Sequence, residues 1–147
     1  MSVIAQAGTN ERQLHKFGGS SLADVKCYLR VAGIMAEYSQ PGDMMVVSAA
    51  GSTTNQLISW LKLSQSDRLS AHQVQQTLRR YQSEVISGLL PAEIADGLIS
   101  AFIHDLERLA VLLDGGVTDA VYAEVVGHGE VWSARLMAAV LQQQGLD

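Results

Sequence analysis

Met44-Met45-Val46-Val47 contains no polar residue. A strand with one wet face alternates apolar and polar side chains. A short run without alternation reads as a strand covered on both faces, as in a parallel sheet. Ser48 to Asn55 follows, small and polar, and Gln56 to Leu63 then reads as helix. The same order occurs upstream. Gln13 to Phe17 suits a short strand, Gly18-Gly19 a tight turn, and Leu22, Val25, Leu29, Ala32 and Met35-Ala36 recur at three- and four-residue steps, marking one buried helical face. Ser21 is a candidate cap for that helix, with Asp24 as its reciprocal partner. Gln40-Pro41-Gly42-Asp43 ends it and turns the chain. Two strand–loop–helix units in succession predict a three-layer α/β/α architecture. Both loops then fall at the carboxyl ends of their strands, where such sheets bind ligands.

The second half reads as helix. Ser70 and Gln73 have capping-box spacing, and Val74, Leu78, Tyr81 and Val85 line one face, with Gly88 a candidate C-cap. Pro91 opens another helix in its first turn; Ile94, Leu98, Phe102, Leu106, Leu109 and Leu113 form its face, and Asp114-Gly115-Gly116 ends it. The short connection predicts an antiparallel hairpin. A third helix runs from near Thr118 to about Gln144 with Gly127 and Gly129 inside it. No internal repeat is visible.

The chain has 147 residues, enough for one domain with a real core. It is 48% hydrophobic and 17% charged, which favours a globular fold over disorder. The net charge is -5, Lys and Arg nowhere cluster, and aromatics are 5%, which argues against nucleic acid as a partner. Cys27 is the only cysteine, so no internal disulfide can form; its apolar helical neighbours suggest a packed thiol. Residues 1–11 read as a flexible polar tail without the pattern of a signal peptide, and no apolar run approaches the ~20 residues of a membrane span. A cytoplasmic location and no membrane association are expected.

Three constellations can carry chemistry. In the first, Lys16 precedes Gly18 and Gly19 at a strand-to-helix junction. Glycine lets backbone N–H groups turn toward anionic oxygens, and the lysine adds a mobile positive charge, which together suit a polyphosphate. An ordinary glycine turn beside a surface lysine fits the same residues. Neither the common phosphate-loop pattern nor the three-glycine dinucleotide fingerprint is present. The second is Ser48 to Asn55, with Thr54 and Asn55 as polar groups for a ligand; a helix cap at Ser52 or Thr53 explains the same residues without a ligand and, taken alone, is the stronger reading. The third is Gly127-His128-Gly129-Glu130. Each helical glycine costs about 1 kcal/mol relative to alanine, so two in three residues suggest close approach of another backbone or a ligand. Glu130 can bind an ammonium group or be merely solvated. His15, His72, His104 and His128 lack ligand spacing, so no protein metal site is expected. Glu124 and Glu130 do not share a helical face cleanly.

In this order, Lys16-Phe17-Gly18-Gly19, Val47 to Asn55 and Gly127-His128-Gly129-Glu130 resemble the amino-terminal signatures of aspartokinases, in the amino-acid kinase superfamily. The resemblance implies the N-terminal portion of an amino-acid-kinase-like fold. It implies transfer of the ATP γ-phosphoryl group to the side-chain carboxylate of L-aspartate, giving 4-phospho-L-aspartate, the first step of lysine, threonine and methionine biosynthesis. Lys16 would be catalytic, neutralising charge on the transferring group. Lys16, Gly18, Gly19 and Ser20 would bind ATP phosphates, with Ser20 where the family usually has threonine. Ser48, Thr54 and Glu130 would bind substrate, Glu130 at the α-ammonium group. The nucleophilic carboxylate is already ionised at pH 7 and needs no general base. Mg²⁺ would be held mainly by the nucleotide phosphates. The order at Ala50-Gly51-Ser52-Thr53 departs from the commoner one and leaves Ser52 unassigned.

Later family segments do not occur in this sequence, so residues 12–147 are expected to be a partial catalytic domain, inactive or nearly so alone. The flanking sequence resembles bifunctional aspartokinase–homoserine dehydrogenases, which implies a homo-oligomeric parent that binds NADP only in its dehydrogenase half. Two other readings stay open: a non-catalytic helical module for self-association or partner binding, and a superfamily member acting on a different carboxylate or carbamate.

Overall fold

The computed structural model describes residues 11–146, so the expected tail lies outside it apart from Glu11. The described elements are β1 (Leu14–Phe17), a 3-10 turn (Gly19–Leu22), α1 (Val25–Tyr38), β2 (Met44–Val47), α2 (Thr53–Ser64), α3 (Arg68–Leu89), α4 (Ala92–Asp114) and α5 (Asp119–Gln143). β1 and β2 pair in parallel, with Leu14 opposite Met44, Lys16 opposite Val46 and Phe17 opposite Val47. A parallel pair needs a crossover, which α1 supplies.

The period of two along each strand divides the sheet into unlike faces. Phe17, Met45 and Val47 pack into the core. Leu14, Met44 and Val46 on the other face are 61%, 60% and 45% exposed. The expected cover on both faces of Met44–Val47 is thus present on one. The unbroken apolar run suits two covering layers, but among the described residues only one face has a layer packed on it.

The helix starts differ from the sequence reading in instructive ways. Asp24, not Ser21, caps α1, accepting from the Cys27 amide at 2.8 Å. Ser21 is already used in the 3-10 turn, where its N–H donates to Gly18 O. At α3 the cap is Asp67, which accepts from the Ser70 amide and hydroxyl at 3.1 and 2.6 Å, so Ser70 is the donor to a cap and not the cap. Helix α2 begins at Thr53, three residues earlier than expected; Pro91 sits at the cap of α4, one residue before its first turn. Thr118 caps α5 through Val121 N–H. Gly88 does not end α3. A β-carbon there would lie 2.6 Å from Val25 Cγ2, so this glycine lets α1 and α3 approach.

Helices α3 and α4 form the antiparallel hairpin: Arg68 at the start of one is 3.7 Å from Asp114 at the end of the other. Two apolar clusters result. Leu22, Tyr28, Val85, Ile86, Leu136 and Met137 gather beneath the sheet, and Leu57, Trp60, Leu78, Phe102, Leu109 and Trp132 between the helices. Each such side chain contributes about 1.5–3 kcal/mol on burial. Tyr28 and Ser133 hydrogen-bond at 3.0 Å within the core, tying α1 to α5. Burial pushes the Tyr28 hydroxyl up to about 12, against the opposing effect of that bond.

Candidate functional site

The parallel pairing of β1 and β2 brings two loops side by side. Ser48 N–H donates to Phe17 O and Gly51 N–H to Gly19 O, each at 3.0 Å. The backbones abut so closely that a β-carbon on Gly19 would lie 2.7 Å from Ala49 O. Gly51 needs glycine twice over: its φ is +52°, and a β-carbon would meet the Tyr81 hydroxyl at 2.9 Å. Gly18 has extended backbone and nothing within 4 Å of a notional β-carbon, so it leaves open space beside the turn.

Helix α5 closes the arrangement from the third side. A β-carbon on Gly129 would lie 2.7 Å from Ala49 Cβ and 3.4 Å from Thr53 Cγ2. Ala49 is therefore held between Gly19 and Gly129, and the three segments singled out in the sequence meet there. The approach expected at the Gly127/Gly129 pair is made by Gly129 alone; a β-carbon on Gly127 would meet nothing within 4 Å.

The side chains expected to work lie on the three segments that meet at Ala49. Lys16 is exposed on the open face of the sheet, one residue before the end of β1. Ser20 is exposed within the 3-10 turn, Ser48 half-buried just past β2, and Thr54 half-buried in the first turn of α2. Glu130 follows Gly129 and is exposed. Among the described residues, no hydrogen bond or ion pair engages the side chains of Lys16, Ser48, Thr54 or Glu130, which leaves them available to a ligand. A cavity of about 500 Å³ lined by Ser39, Pro41, Met45 and Leu146 lies toward the other end of β2.

Polar contacts that the sequence reading did not anticipate brace α5. His128 Nδ1–H donates to Glu124 O at 2.7 Å, and its Nε2 accepts from Arg108 at 2.9 Å. Arginine only donates, which fixes the neutral tautomer and occupies both ring nitrogens. Arg108 also pairs with Glu124 at 2.9 Å, which separates that carboxylate from Glu130. Asp105 accepts from Trp132 Nε1 at 3.2 Å and Arg135 at 2.6 Å. Burial pushes the Asp105 carboxyl up, but the bonds from Arg135 and Trp132 outweigh this and hold it below the usual carboxylate value. Spacing could not reveal the pairs of Arg108 with His128 and Glu124 or of Asp105 with Trp132 and Arg135, because they join α4 to α5. The Thr53–Gln82 bond, 3.2 Å between α2 and α3, was equally hidden.

Two parallel strands whose loops meet under a glycine in a following helix form an α/β arrangement with a candidate ligand site at the ends of the strands. The family model for the amino acid kinase family matches residues 11–147, and the chain belongs to that family. It is 87% identical over 146 residues to the bifunctional aspartokinase/homoserine dehydrogenase 2 of Escherichia coli (strain K12), a match covering 99% of this chain and 18% of that protein. Against the chloroplastic bifunctional aspartokinase/homoserine dehydrogenase 1 of Arabidopsis thaliana it is 26% identical over 140 residues, 91% of this chain and 15% of that protein. The chain thus spans a small part of the length of these relatives. Escherichia coli aspartokinase III, solved with lysine and aspartate, superposes with a TM-score of 0.80 at 23% identity, covering 92% of this chain and 30% of that one. Its form with aspartate and ADP gives 0.79 at 24% identity, with the same coverage. These likenesses establish the fold as that of the amino acid kinases, the class the glycine motifs resemble.

Proposed function

We propose that residues 12–147 form the amino-proximal part of an aspartokinase catalytic domain, which passes the γ-phosphoryl group of ATP to the side-chain carboxylate of L-aspartate. The observation that supports this reading is the convergence of Gly19 and Gly129 on Ala49, which joins the three segments that carry Lys16, Ser48 and Glu130. The identity to the Escherichia coli bifunctional enzyme supports the choice of substrate.

In this reading the amides of Gly18, Gly19 and Ser20 receive phosphate oxygens, and Lys16 neutralises charge on the group in transfer. Positioning and charge stabilisation supply most of what phosphoryl transfer requires. Ser48 and Thr54 orient the aspartate by hydroxyl hydrogen bonds, and Glu130 holds its α-ammonium group. The aspartate carboxylate attacks as the anion, so no side chain here must take a proton. Mg²⁺ accompanying the nucleotide would be held mainly through its phosphates. Among the described residues no helix is long and apolar enough to cross a membrane. A cytoplasmic, homo-oligomeric parent with NADP confined to a dehydrogenase half completes the proposal.

The test is ligand response. ATP-Mg and L-aspartate should each raise the melting temperature, by the equivalent of about 2.7 kcal/mol at a hundredfold excess over Kd. Lys16→Ala should abolish the response to ATP-Mg and Glu130→Gln that to aspartate. Steady-state turnover should be low or absent in this chain. Melting curves blind to both ligands at millimolar concentration, or responses indifferent to both substitutions, would refute the reading.

A further inference from the structure

Two adjacent residues of α3 each reach a different loop of the site. The Tyr81 hydroxyl donates to Ala23 O at 2.9 Å, just past the 3-10 turn that follows Gly18. The same oxygen stands 2.9 Å from the notional β-carbon of Gly51. Gln82 Nε2 donates to Thr53 Oγ1 at 3.2 Å, at the start of α2. Gln82 is 3% exposed and Thr53 0%. A buried amide and hydroxyl are costly to desolvate, and their mutual bond returns only part of that. A leucine and a valine would pack an apolar interior at lower cost. What the polar pair adds is direction: it fixes where α2 begins, and therefore where Thr54 and the preceding Gly51-Ser52 stand.

We infer that Tyr81 and Gln82 are positioning residues that clamp the Gly18–Ala23 and Ala49–Thr54 segments in mutual register from behind. Their action is indirect, since neither is among the residues proposed to contact ligand. The inference rests on the kinase reading for its consequence, but the clamp itself is a property of the free chain. Neighbouring positions of one rigid helix hold both loops, so a shift of α3 moves them together. The direct Gly51 N–H to Gly19 O bond then keeps their spacing.

Amide hydrogen exchange on this chain tests it, with Tyr81→Phe and Gln82→Met. Each variant removes the polar bond and keeps most of the side-chain volume. Exchange at Gly19–Leu22 in the first and Gly51–Asn55 in the second should accelerate about tenfold or more, while amides in the middle of α4 keep their wild-type rates. Where the wild type responds to ATP-Mg, the double variant should need at least about threefold more nucleotide for the same thermal shift. Uniform acceleration along the chain, or no local change, would overturn the clamp. Local acceleration in a chain whose wild type ignores ATP-Mg would uphold the clamp and remove the kinase reading instead.

Discussion

Ala49 and Gly129 are so close that a β-carbon on the glycine would stand 2.7 Å from that of the alanine. Neither group can rotate away, so Gly129→Ala must displace α5 or the loop. The expected cost is about 1–3 kcal/mol, typical of overpacking. Gly127→Ala, on the same helix with nothing within 4 Å, should be neutral or stabilising by up to about 1 kcal/mol. Urea unfolding of both variants decides the matter, and equal midpoints would contradict this account of α5.

Asp105 should matter more than its ion-pair partner. Asp105→Ala leaves Trp132 Nε1–H buried without an acceptor, a loss of about 1–3 kcal/mol. Arg135 is half exposed, and water can take over its role, so Arg135→Ala should cost about 0–1 kcal/mol. Denaturant titration of the two variants should rank them in that order; the reverse ranking would place the weight on the charge pair.

Gly88→Ala should destabilise the chain by driving a methyl group into Val25, whose Cγ2 lies 2.6 Å from the notional β-carbon. The β-branched valine has little rotamer freedom on a helix and cannot yield easily. Val25→Ala in the same chain should recover much of the loss, giving a non-additive cycle of about 0.5–3 kcal/mol. Strict additivity would show that the two helices do not meet at this point.

Asp43 predicts an acid limb to the stability curve. Its carboxylate accepts from the amides of Gln13 and Gln40 and from His15 Nε2, at 2.8, 2.9 and 3.1 Å. The Gln13 amide, then the Gln40 amide and His15, hold its pKa below the usual value. A carboxyl lowered in the folded state stabilises above the unfolded pKa of about 4, and that contribution fades as pH falls through the folded value. Asp43→Asn should therefore be less stable than the wild type at pH 7, with the difference shrinking on acidification. Melting temperatures across that range provide the check, and a gap that widens toward acid would contradict it.

Much of the fold was legible where local signals were unopposed. The turn at Gln40–Asp43, the stop at Gly115-Gly116 and the apolar faces of α3 and α4 follow from spacing and turn chemistry alone. Cap identities at α1 and α3 were misplaced because, of a serine and an aspartate three residues apart, either can accept from the helix's first amides, and only the backbone path decides. The open side of β2 could not be foreseen, since a run of four apolar residues specifies what could cover it and not what does. At the site, the three glycine motifs were readable, but Ala49 as their meeting point was not. Alanine carries no chemical signal, and its role comes from contact distances between segments far apart in the chain. The partners of Tyr81 and Gln82 were hidden for the same reason.

The hydrogen bond between Tyr28 and Ser133 joins residues 105 positions apart, and Gly129 lies only a turn of α5 away from it. A nascent chain leaving the ribosome can build β1, β2 and the α3–α4 hairpin well before α5 emerges. Until it does, Ala49 and Thr53 lack their third wall, and the apolar surfaces meant for Leu136 and Met137 stay wet. Such late, long-range closure slows folding and lengthens the interval of exposed apolar surface. During synthesis, the two loops are therefore finished only by the last helix described.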